Sequence, residues 1–155
     1  FINARRTPKE LDDFITGAKT GHPWDFSRDS YASDITEFDD QQEEGTLHFE
    51  VLKARHCGIP EPMIQFRVYA KLHPKCFRGC YKVKRTTGES ETFSANTDYM
   101  IALDATMHDI PEGTLRVHGG DDMARNLVLR TRPSWDLIKH FFRLKIKPET
   151  GRIVA

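Results

Sequence analysis

Beyond Thr46, hydrophobic and polar residues repeatedly alternate with a period of two. In MIQFRVYAKL, residues 63–72, Ile64, Phe66, Val68, Ala70 and Leu72 alternate with Gln65, Arg67, Tyr69 and Lys71, the pattern of a half-buried strand. TLHFEV sets Leu47, Phe49 and Val51 on one face, and CYKVKR (80–85), ETFSA (91–95), YMIAL (99–103), TLRVH (114–118) and NLVLRT (126–131) are further strand candidates. GIPEP, HPKCFRG, TTGES, IPEG and HGGDD separate them as turns, being rich in the residues that set φ or accept local hydrogen bonds. Short strands at this spacing predict an all-β domain, a sandwich, jelly-roll or small barrel of roughly six to eight antiparallel strands.

Helical periodicity is confined to the ends. In TPKELDDFITG, residues 7–17, Thr7 caps, Pro8 suits the first helical position, Glu10 completes a capping box, and Leu11, Phe14 and Ile15 form an apolar face. SWDLIKHFFRL predicts a C-terminal amphipathic helix with Trp135, Ile138, Phe141 and Phe142 as its stripe and Ser134 as cap. The tail LKIKPETGRIVA reads as two short strands around a Pro–Gly turn. Residues 18–45 carry no period and end in the acidic run EFDDQQEEG, so residues 1–45 are expected to form a helix plus an acidic arm bearing Trp24, Phe26, Tyr31 and Phe38. Residues 46–155 would then be a single β-rich domain.

The 155 residues suffice for one core, and 23 basic residues balance 23 acidic ones. No apolar run approaches the roughly 18 residues that span a bilayer, so no membrane partner is expected. Three cysteines and the lack of an Asn-x-Ser/Thr sequon fit an intracellular, cytoplasmic or organelle-interior setting. A start at Phe1 rather than Met fits a processed chain or a fragment.

Neutrality conceals segregation. No acidic residue occurs from Pro62 to Gly88, whereas Arg67, Lys71, Lys75, Arg78, Lys82, Lys84 and Arg85 all do. If 63–72 and 80–85 are paired strands with Ile64, Phe66, Val68 and Val83 inward, then Arg67, Tyr69, Lys71, Lys82 and Lys84 share the outer face. Such a cationic surface with an aromatic on it suits an acidic protein partner, or phosphate contact and base stacking.

HPKCFRGC, residues 73–80, has zinc-ligand types in His73, Cys76 and Cys80. Cys57 would lie about 30 Å away along a ten-residue strand at roughly 3.3 Å per residue, which makes His48 the better fourth ligand. The preferred reading is nevertheless a plain hairpin turn with its cysteines as small apolar groups and no cofactor, zinc being the alternative. In residues 104–122, Pro111 and Gly113 resemble the Pro-x-Gly turn of the second cupin block. Arg116 stands where that block has a histidine, and the paired His-x-His of the first block has no counterpart. The resemblance implies a barrel of cupin-like type without the usual metal ligands. His108 and His118, with Asp104, Asp109, Asp121 and Asp122 nearby, offer an acid–base or metal pair. No nucleophile elbow, Walker loop or dinucleotide fingerprint occurs.

The expected function is a non-enzymatic binding or assembly module, with the basic hairpin and the acidic arm facing a protein partner. A nucleic-acid-binding β domain using the same face and a small barrel enzyme are the alternatives.

Overall fold

A computed structural model describes residues 2, 6–41, 44–73, 75–76, 79–80, 92–141 and 144–152. The chain forms two compact units, residues 1–36 with 96–155 and residues 37–95.

The first unit is built on a four-stranded antiparallel sheet with strand order β4-β5-β1-β6. Its strands are β1 (Ser30–Ile35), β4 (Arg116–Gly119), β5 (Asp122–Arg125) and β6 (Ile146–Gly151). Tyr31 faces Arg125 and Ser33 faces Met123 across β1 and β5, while Arg116 faces Arg125 and His118 faces Met123 across β4 and β5. One face therefore presents Tyr31, Ser33, Ile35, Met123 and Arg125, all buried. Against the core lies α4 (Thr92–Met107), whose buried positions Asn96, Tyr99, Met100, Leu103 and Met107 recur at helical spacing. Helix α1 (Pro8–Ile15) has the expected capping box, with Thr7 and Glu10 bonded reciprocally. The chain then returns to the sheet through Trp24, whose indole N–H donates to Ser30 Oγ at 3.0 Å.

The second unit pairs α2 (Glu44–His56) with α3 (Glu61–Leu72), followed by a minimal hairpin of β2 (Lys75–Cys76) and β3 (Gly79–Cys80). Phe38, in the 3-10 turn Phe38–Gln41, and Ile64 are its most deeply buried apolar residues among those described.

The architecture is mixed α/β, which corrects the all-β expectation. The segments 46–51, 63–72, 92–95 and 99–103 are helical. Pro60, Glu61 and Pro62 open α3 as a helix start, with Pro at the first turn, an acidic residue there and Lys71 in the last turn. Within α3 the apparent alternation splits differently: Ile64 is 2 % exposed and Phe66 on the outer face is 74 % exposed. The acidic arm is corrected too, because its residues 30–35 form the strand β1, paired on both edges. Among the described residues the tail forms one strand, β6, and its Pro148 sits on a sheet edge where a missing N–H is tolerated. The C-terminal helix α5 (Pro133–Ile138) is short and continues into a 3-10 turn, and its N-cap is Arg132 rather than Ser134. Residues 126–131 are no strand, although Thr131 bridges His108. Among the described residues no helix is long and apolar enough to cross a membrane.

Where β4 turns into β5, Gly119 pairs with Asp122 around Gly120 and Asp121. Gly120 has φ 71°, a conformation that any side chain would strain. Its N–H donates to Thr97 Oγ1 of α4 at 2.9 Å, so the helix holds the turn from below. Replacing Thr97 by Val should leave that buried donor unmet and cost about 1–3 kcal/mol in denaturant unfolding.

Candidate functional site

Side chains on neighbouring antiparallel strands share a face when their residues are paired. One register step beyond the Ser33–Met123 pair sets Asp34 of β1 beside Asp122 of β5, on the face away from the buried Tyr31–Arg125 row. Asp121 sits in the adjoining turn, and Lys147 of β6 pairs with Asp34 from the other side. Ala32, Ala124 and Gly119 floor the same face and leave above it a cleft of about 500 Å³, also lined by Asp34, Asp122 and Glu149. Small side chains here keep the sheet open to a ligand.

The acidic pair is held under mutual repulsion. The Asp122 carboxyl is raised above its ordinary value, by partial burial first and then by the charges of Asp121 and Asp34. A bound cation would relieve that repulsion. Among the described residues no group of three His, Cys, Asp or Glu side chains converges to hold a metal unaided. Mg2+, however, is commonly held by one or two carboxylates together with substrate phosphates and water, and the Asp34–Asp122 pair fits that pattern.

The reverse face is electrostatically opposite. Asp104, from the last turn of α4, accepts from Arg125 Nη1 at 2.5 Å, lies 3.0 Å from His108 Nδ1 and 3.6 Å from Arg116 Nη1. Burial pushes the Asp104 carboxyl up, but the His108 hydrogen bond and the Arg125, His108 and Arg116 charges outweigh it and hold it below the usual value. The Arg125 guanidinium also lies 4.2 Å over the Tyr31 ring. Of the histidine–aspartate sets expected from sequence, the structure joins Asp104 with His108 as part of this network, whereas Asp109 pairs outward with Arg132 at 2.7 Å.

The residues of the expected basic face are distributed differently. On α3, Arg67 and Lys71 lie one helical turn apart on one flank, whereas Tyr69 projects from another side of the helix. Arg67 donates to Glu50 of α2 at 2.9 Å, and Tyr69 stacks on His73 with ring centroids 4.3 Å apart. Lys82 and Lys84 lie outside the described residues. Of the zinc candidates, His48 is on α2 and His73 caps α3, while the backbones of Cys76 and Cys80 fall in the β2–β3 hairpin and their side chains lie outside the described residues. Asp34 was missed because its strand was read as an acidic arm. The available signal was the alternation of Tyr31, Ser33 and Ile35 with Ala32 and Asp34.

No protein-family model matches the chain. The chain is 38% identical over 148 residues, 96% of its length, to the RNA replication protein of White clover mosaic virus (strain M). It is 40% identical over 150 residues to that of Papaya mosaic potexvirus and 40% over 148 residues to that of Potato virus X. The chain spans about a tenth of the length of these relatives, 11%, 10% and 10% respectively. These relatives, together with the helical state of residues 61–72, overturn the reading of the chain as a protein-binding or assembly module built on a basic hairpin. The cupin-like barrel falls as well, since the sheet is open and four-stranded.

Beneath the turn, burial pushes the His118 imidazole from 6.5 down to about 4, outweighing the Asp104 charge that opposes it. Its folded-state value lies below the unfolded one, so the unfolded chain binds more protons between these limits. Stability should therefore fall by on the order of 3 kcal/mol as pH drops from 6.5 toward 4. His118→Leu should flatten that part of the profile in chemical denaturation. The separate loss from Asp104 should remain, at lower pH.

Proposed function

We propose that the chain is the carboxylate-bearing segment of an RNA-synthesising enzyme, in which Asp34 and Asp122 hold divalent cations for nucleotidyl transfer. The juxtaposition of these two carboxylates on adjacent strands, over a floor of small residues, carries the reading. The RNA replication proteins it resembles supply the polymer. Copying RNA requires the 3′-hydroxyl oxygen of a growing strand to attack the α-phosphorus of a nucleoside triphosphate, with pyrophosphate leaving. When bound, divalent cations stabilise the attacking and leaving oxygens of such an in-line displacement.

The protein's part is positional. Asp34 is fixed in a strand paired on both edges, and Asp122 opens β5 next to a turn that Thr97 holds in place. Both carboxylates thus stand on adjacent paired strands lining one cleft, a fixed backbone setting of the kind electrostatic preorganisation needs. Asp121, in the turn next to Asp122, adds negative charge that acts on it and would strengthen attraction for cations. The small residues Ala32, Ala124 and Gly119 leave room for the nucleotide and the strand end.

Asp34→Asn or Asp122→Asn in the full-length protein should reduce templated nucleotide incorporation roughly a thousandfold, equivalent to about 4 kcal/mol of transition-state stabilisation. Asp122→Asn should at the same time raise Tm at pH 7, because its carboxyl is held above its ordinary value and loses stability on ionising. Incorporation retained by both variants would exclude the assignment.

A further inference from the structure

We infer that Asp104 is a positioning residue, which through Arg125 locks β1 against β5 at the spacing the Asp34–Asp122 pair requires. The inference rests on the cation-binding reading of that pair. Tyr31, Arg125 and Arg116 form one row across β1, β5 and β4 on the buried face. Asp104 meets this row from α4, bonding Arg125 with one oxygen and lying 3.6 Å from Arg116 with the other. Arg125 is 0 % exposed, its Nε donates to Leu127 O at 2.8 Å, and its guanidinium covers the Tyr31 ring. One helix carboxylate thereby engages all three strands.

The connection to the open face is short. Asp34 lies three residues beyond Tyr31 and Asp122 three residues before Arg125, so each strand carries a locked residue and an acidic residue on opposite faces about 10 Å apart. Sliding β1 by one residue would turn Asp34 into the core and Tyr31 out of it. Apolar contacts tolerate small slides, whereas a buried ion pair with a fixed donor geometry does not. Stability alone does not account for the pair, since well-packed apolar replacements for buried ion pairs are often neutral or stabilising; holding a register is their best-attested use.

The test is the divalent-cation requirement of nucleotide incorporation by the full-length protein, titrated with Mn2+, alongside Tm. The double substitution Asp104→Leu with Arg125→Met removes both charges together. It should keep a cooperative unfolding transition near the wild-type Tm, yet raise the Mn2+ concentration for half-maximal incorporation at least tenfold. Arg116→Gln, at the half-exposed edge of the network, should shift it about threefold and serves if the double variant fails to fold. Asp104→Glu should recover part of the loss. An unchanged Mn2+ requirement in a folded double variant, or in Arg116→Gln where the double variant does not fold, overturns the positioning role. Asp34→Asn runs alongside: if it too leaves rate and Mn2+ requirement unchanged, the cation site itself is wrong and the positioning role falls with it.

Discussion

The register between β1 and β5 decides what this chain can do. With Tyr31 opposite Arg125 and Ser33 opposite Met123, Asp34 comes to stand beside Asp122. A slip of a single residue would separate the two carboxylates and bury one of them. Everything around the pair serves that alignment: β6 covers the outer edge of β1, Thr97 holds the β4–β5 turn, and α4 closes the face beneath.

The two faces of one sheet put aspartates in contrary environments. Asp104 lies among Arg125, Arg116 and His108, and its ionised form is favoured despite burial. Asp122 faces Asp121 and Asp34, and its ionised form is disfavoured. The first arrangement favours the charged carboxylate; the second disfavours it, and a bound cation would relieve that repulsion. Sites that carry strain of this kind commonly trade stability for function.

How much of this was legible in the sequence differs from residue to residue. Thr7, Pro8 and Glu10 marked α1 because a capping box is a local signal, complete within four residues. Residues 63–72 misled because α3 buries Ile64 yet leaves Met63, Phe66 and Tyr69 outside, so its apolar residues are not confined to one helical face. The Pro60-Glu61-Pro62 start is the better guide, but prolines suit a turn as well as a first helical turn. In α4 the polar Asn96, Thr97 and Asp104 are buried, which broke the helical stripe into what resembled two short strands. Strand β1 was hidden by composition: its open face carries Ala32 and Asp34, and a central strand with an acid on it does not stand out beside an acidic run. Asp121 and Asp122 were noticed near histidines, but their partner Asp34 lies some ninety residues earlier in the chain, and only the fold joins them.

The most direct measurement is the anomalous X-ray difference map of crystals soaked with Mn2+ and a nucleoside triphosphate. A Mn2+ peak shared by the Asp34 and Asp122 carboxylates, at ordinary metal–oxygen distance from both, is the predicted result. A peak that contacts neither, or none at saturating Mn2+ in crystals that diffract well, would contradict the account.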